Sequence, residues 1–271
     1  MRVVLITRPH LEETNRLVRK AAKQRGLPIS PVDPCAPEDH SVSQKGPRLI
    51  YRATKDQRAG AIEKLLTRPG DALLHDPDFT CDQPAQRLVQ AQIPIPRRVM
   101  VHGPEKDSLA AQVLFLGGWP IVVRPNGKPE MPSILMVTRL TDLIEQLDRC
   151  DYDATIESYI PHDRCWKITV LGDRVLAASV SRAPDEEFNL PGSSDYCDTS
   201  PDAPPEAADH FARNAARALR KDFGAAHMLE GPNGKLTLLK FEFPCAFADQ
   251  QKHCKVDIAG HMLEHLASKL G

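Results

Sequence analysis

Two apolar runs, residues 166–171 and 174–180, are separated only by Gly172-Asp173. A glycine-containing pair between two such runs turns a chain straight back on itself. This stretch is therefore predicted as a β-hairpin, which commits the C-terminal part of the chain to antiparallel pairing. The N-terminal part carries a different signal. Residues 3–6 are a short run rich in β-branched side chains, followed by an Arg8-Pro9-His10 turn and a helical pattern over 11–24 that stops at Gly26. Strand text at 28–32, 48–51 and 72–75, with helical text at 57–66, continues the alternation. Strands alternating with helices favour a parallel sheet covered by those helices.

The middle of the chain repeats helix and strand once more. A helix is predicted over 82–92, ahead of Ile93-Pro94-Ile95-Pro96, then a strand at 98–101, a helix at 109–116 and a strand at 120–124. Residues 125–132 hold one glycine and three prolines and link that strand to another at 133–137, as a tight connection in an antiparallel pair. A helix at 140–147 and a strand at 155–160 lead into the hairpin. Residues 184–205, with five prolines among Asp, Ser and Glu, are predicted as a long loop or lid. A helix over 206–223 ending at Gly224, a strand over 235–243 and a closing helix over 257–270 complete the reading.

Size and composition permit a folded enzyme. The 271 residues can bury a real core, and 41% hydrophobic with 26% charged residues is the balance of a globular chain. Lys and Arg total 35 against 36 Asp and Glu, with no block of like charge, so nothing argues for nucleic acid or an acidic membrane as partner. Seven scattered cysteines form no CxxC pair and suit a reducing compartment. Cys245, Cys254, His253 and His261 match no zinc spacing. No apolar run reaches 18 residues, and the first strand is too short for a secretion signal, so a cytoplasmic location is expected.

The order of elements resembles that of the ATP-grasp superfamily, and in particular its RimK-like carboxylate-amine ligases. The stretches that carry the likeness are QAQIPIPRRVMV, GGWPIVVRPNGK, TIESYIPHDRCWKITVLGDRVLAASVSRAP, EEFNLPG and VDIAGHMLEHL, in family order. The resemblance implies an α/β chain built as α+β lobes: an ATP-grasp fold preceded by a Rossmann-like pre-ATP-grasp domain. Residues 1–80 would form that N-terminal domain, 81–155 the central lobe and 156–271 the C-terminal lobe. It further implies that the backbone of Glu157, Tyr159 and Ile160 meets adenine and that His162 and Asp163 lie near the ribose. Arg124 and Lys167 would face phosphate. Arg182 and Asn189 would serve the acyl-phosphate chemistry. The residues alone leave open that Lys167 and Arg182 are exposed strand positions alternating with core ones, and Trp166 reads as core or partner surface rather than a base-stacking platform.

Several positions depart from the family pattern. Gln83 and Arg124 stand where phosphate-side lysines are expected, and arginine holds phosphate with a different geometry. Setting the family's closing acid-x-Asn motif by Pro244 puts Leu239 and Phe241 at the Mg²⁺ positions, where apolar side chains bind no hard cation. Glu242 and Glu230 remain as substitute metal ligands, and Glu242 reaches the cleft only if the register slips or a bulge turns it inward. The expected function is an ATP-dependent ligase joining a small-molecule or peptide carboxylate to an amine through an acyl phosphate, with ATP, and Mg²⁺ in question. The alternatives are a degenerate relative that binds a nucleotide, metabolite or partner without turnover, and a polyol-phosphate kinase. Self-association is left open.

Overall fold

A computed structural model of the chain describes residues 1–8, 12–36, 46–77, 79, 83–103, 106–126, 134–183 and 197–271, with side chains for all but 12, 106, 107 and 197–199. Arg2–Ile6 (β1), Ile29–Val32 (β2) and Arg48–Arg52 (β3) form a parallel sheet in the order β2-β1-β3. Val3, Val4, Leu5 and Ile6 are all fully buried, because this sheet is covered on both faces, and such strands read as unbroken apolar runs. Glu12–Gln24 (α1) packs on one face through Val18, Ala21 and Ala22, and Gln57–Leu66 (α2) on the other through Ala59 and Ile62. Asp56 caps α2, its carboxylate accepting from the Arg58 N–H at 2.7 Å.

The strand expected at 72–75 is reduced to two isolated bridges, Leu49 to Ala72 and His75 to Lys221. Ala72 bonds on both sides of Leu49, donating to the Arg48 carbonyl and accepting from Ile50, after which the Leu74 carbonyl accepts from Asp222. The segment is thus shared between two sheets and is a full member of neither.

After Pro84–Gln90 (α3) comes a four-stranded antiparallel sheet. It is made of Arg98–His102 (β4), Ile121–Pro125 (β5), Leu135–Val137 (β6) and Asp153–Ser158 (β7), in the order β4-β7-β5-β6. Lys106–Leu116 (α4) and Leu140–Arg149 (α5) cover one face with Leu109, Val113, Leu143 and Leu147, residues spaced four apart on each helix. β7 pairs along its whole length with β4 and β5 and so runs across the boundary expected at 155/156.

The largest sheet holds Arg164–Leu171 (β8), Arg174–Arg182 (β9), Cys197–Pro201 (β10), Phe223–Glu230 (β11) and Leu236–Glu242 (β12), in the order β10-β9-β8-β11-β12. The predicted hairpin is β8–β9. β10 falls within the segment expected to be loop, and residues 184–196 lie outside the described ones. Glu206–Ala218 (α6) ends earlier than Gly224 suggests, because Arg220 takes the left-handed conformation (φ 50°) and Lys221 N–H returns to the Ala216 carbonyl. That early stop frees β11. Ala208, Ala212, Ala215 and Ala216 let α6 lie close against one face of the sheet. The opposite face packs on Ala248–Cys254 (α7), Ile258–Ser268 (α8) and the N-terminal unit. Among the described residues, no helix is long and apolar enough to cross a membrane.

Candidate functional site

The site begins with a bulge. β11 and β12 pair Leu229 with Thr237 and Met228 with Leu238, but His227 with Lys240, so Leu239 is an extra residue on β12. One extra residue reverses which side chains face which way beyond it. Phe241 accordingly packs with the α6 core, and Lys240 and Glu242 join Thr237 on the opposite face. The register expected from Pro244, with Leu239 and Phe241 on the cleft, is corrected by this bulge. Gly224 makes room for the arrangement, since a Cβ there would come within 2.4 Å of the Phe241 ring and 2.8 Å of the Glu242 carbonyl oxygen.

Because His227 also pairs with Lys167 on β8, the three side chains Lys167, His227 and Lys240 stand abreast on three adjacent strands. Glu242 lies next to this row. Its carboxylate meets the Lys55 ammonium, which comes from the loop after β3, and lies 3.0 Å from His227 Nε2. Burial pushes the Glu242 carboxyl up, and the hydrogen bonds from His227 and Lys55 outweigh that and hold it at about 2. Burial lowers the His227 pKa, Lys240 and Lys167 lower it further, and the contact with Glu242 opposes them. Lys167 donates to the Ala246 carbonyl.

On the facing sheet, Glu157 is buried and held from two sides. Arg98 Nε lies 2.8 Å from one carboxylate oxygen and Arg124 Nε 2.9 Å from the other. Arg98 also donates to the carbonyl of the bulged Leu239 at 2.7 Å, tying the central sheet to β12. Glu157 sits on a strand flanked by β4 and β5, so its main chain belongs to the ladder and does not form the open edge expected for adenine. Such an edge starts after Ser158. There, Tyr159, Ile160 and Pro161 line a cavity of about 460 Å³ with Pro94, Ile95, Leu116 and Thr237. The Ile160 carbonyl accepts from His162 Nδ1 at 2.7 Å, and burial lowers the His162 pKa. Asp163 is exposed, and its main chain bridges Glu230 and Ala183.

Two expected pairings do not form. Arg182 is in register with Arg164, on the sheet face of Trp166, whereas Lys167 is on the other face, so the two cations do not converge. Glu230 shares that same face with Trp166, whose Nε1 donates to it at 2.6 Å. Glu230 and Glu242 are therefore on opposite sides of the sheet and cannot hold one ion. Trp166 is buried, as its sequence setting suggested. Asn189 lies outside the described residues.

The donor set does not suit Mg²⁺. A hard divalent cation takes about six oxygen ligands, whereas Glu242 is occupied by Lys55 and His227 and neighbours Lys240. Among the described residues, no group of three or more His, Cys, Asp or Glu is placed to hold a metal. His227, Lys240, Lys55 and Arg98 are a cluster that the sequence pattern does not announce. The bulge that assembles it leaves no mark in strand alternation, and helical periodicity running up to Gly224 hides the start of the strand that carries His227.

No protein-family model and no curated protein matches the chain. Solved structures do. The ATP-grasp ligase PsnB, complexed with a phosphomimetic variant of a minimal precursor, Mg and ADP, superimposes with a TM-score of 0.73 at 14% identity, over 99% of this chain and 97% of that one. The macrocyclase MdnC bound with precursor peptide MdnA, from Microcystis aeruginosa MRC, gives 0.72 at 16% identity over 98% and 99%. A RimK domain ATP-grasp protein from Sphaerobacter thermophilus DSM 20745 gives 0.64 at 18% over 98% and 100%. Superimposing along nearly the whole of each chain, this protein has the fold of the ATP-grasp ligases.

Proposed function

We propose that the chain binds an adenine nucleotide in the cleft between its central and large sheets, and that the chemistry for which this cleft is built is ATP-dependent ligation. The observation that carries the reading is that Arg98 joins two cationic groups at the Leu239 bulge, Arg98 with Arg124 on Glu157 of the central sheet and Lys167 with Lys240 on the large sheet, and that Thr237 on the same β12 face lines the cavity at Tyr159 to Pro161. A cavity of that size suits a purine, whose faces need apolar walls and whose edge needs main-chain groups. Thr237 lines it, and Lys240 lies about 7 Å further along the same strand face, since the bulge makes Thr237 to Lys240 match the two steps from Leu229 to His227 at ~3.3 Å per residue.

In a ligase, a carboxylate oxygen attacks the γ-phosphorus, ADP leaves, and an amine then displaces phosphate from the acyl carbon. Fixed cations contribute by neutralising charge that develops on the phosphoryl oxygens. Lys167 and Arg124 are proposed for that part, with Glu157 orienting the Arg124 guanidinium. Peptide carboxylates are the favoured substrates, because the macrocyclase MdnC and the ATP-grasp ligase PsnB, which share this fold, were solved in complex with their precursors. A second reading, nucleotide binding without turnover, is favoured by the lysines and histidine of the large sheet, which offer no oxygen ligand for Mg²⁺.

Isothermal titration tests the common ground of both readings. ATP or ADP is expected to bind, and Arg124→Ala and Lys167→Ala are each expected to weaken ATP roughly tenfold or more while sparing adenosine, as a lost charge-assisted hydrogen bond predicts. Absence of binding at millimolar nucleotide would overturn both. ADP release with candidate peptides and amines then separates the ligase from the silent binder.

A further inference from the structure

Lys167, His227 and Lys240 form a row across three strands on one sheet face. Cross-strand neighbours stand about 5 Å apart, so one lysine stands on each side of the histidine. Glu242, the carboxylate beside the row, is shared with Lys55, so with His227 neutral the group of Lys55, Lys167, Lys240 and Glu242 keeps an excess of positive charge. Lys240 is exposed and Lys167 partly so, which leaves the row open to a ligand. An unbalanced cationic row facing a cleft calls for an anion.

We propose that this row is a metal-free phosphate subsite: the ammonium groups of Lys240 and Lys167 receive the terminal phosphate of a nucleoside diphosphate or triphosphate directly, with no divalent cation between, while the His227 imidazole between them is held by Glu242. This rests on the nucleotide reading above and adds to it how the charge is neutralised. A lysine is a point charge with three donors and can meet phosphate oxygens without a bridging ion. A divalent cation drawn to the same phosphate would lie against Lys240 and, among the described residues, would find Glu242 beside the row already paired with Lys55. Direct contact avoids both penalties. The ATP-grasp ligase PsnB, which shares this fold, has been solved with Mg and ADP.

The test is isothermal titration of ADP, pyrophosphate and adenosine into the full chain, in EDTA and in excess MgCl₂. Parent protein, Lys240→Gln and Lys240→Arg are compared. ADP affinity is expected to differ less than about twofold between the two conditions. Lys240→Gln should weaken ADP in EDTA by roughly tenfold, leave adenosine unchanged, and be largely restored by Lys240→Arg. If Mg²⁺ tightens ADP more than about tenfold while adenosine still binds, the metal-free subsite is wrong and the nucleotide reading stands. If neither ADP nor adenosine binds, the nucleotide reading fails and takes this inference with it. Adenosine weakened by Lys240→Gln as much as ADP would also overturn the assignment.

Discussion

Replacing Glu242 by Gln removes one negative charge at the junction of the N-terminal unit and the large sheet while keeping the side chain's shape. The folded carboxyl titrates at about 2 against an ordinary 4.5. At ~1.4 kcal/mol per pH unit, that difference sets a ceiling of about 3 kcal/mol. The Lys55 side chain is 59% exposed, so solvent screens its share, and about 2 kcal/mol is the expected loss at pH 7. For a chain of this size, ~1 kcal/mol moves the melting temperature by about 2–4 °C, which predicts a drop of about 4–8 °C. A depressed carboxylate pKa contributes stability that is fully present above 4.5 and lost as pH falls through about 2. Thermal melts followed by circular dichroism at pH 7, 5, 4 and 3 should therefore show parent and variant converging only in the acidic range. Equal melting temperatures at pH 7, or a gap that does not narrow between pH 5 and 3, would refute the assigned ion-pair network.

Glu157→Ala leaves Arg98 and Arg124 without the buried carboxylate they share. Removing one side of a buried pair costs ~3–5 kcal/mol, and the 34% and 26% exposure of the arginine side chains brings this to about 2–3 kcal/mol by urea denaturation. Adding Arg124→Met should recover part of it, and a single-variant loss below about 0.5 kcal/mol would mean that water solvates the arginines. Gly224→Ala should cost roughly 2 kcal/mol, because the new Cβ meets the Phe241 ring and the Glu242 carbonyl. Phe241→Leu in the same chain should restore some of that loss, and an unchanged denaturation midpoint for Gly224→Ala would disprove the close packing.

Local periodicity carried much of the architecture. The buried run Val3 to Ile6, the Gly172-Asp173 hairpin and the helix stripes that bury Leu143 and Leu147 are all set by neighbours within a few residues. Their patterns are therefore written along the chain. β11 was harder to see because Arg220, not Gly224, takes the left-handed position that ends α6, and any residue able to tolerate that conformation can do so. The strand expected at 72–75 depended on partners from two sheets, which no local pattern records.

The sequence by itself determined that the chain is an α/β protein with a parallel start and an antiparallel remainder. Tertiary structure alone decided which side chains of β12 share the face of Lys167 and His227. Lys167, His227 and Lys240 are 60 and 13 residues apart in sequence, and their meeting depends on the pairing of three strands and on one extra residue at Leu239. A bulge reverses every side chain beyond it, yet it arises from how Phe241 seats against Gly224 and how Arg98 holds the Leu239 carbonyl. Those contacts are long-range, and a linear pattern of period two has no term for them.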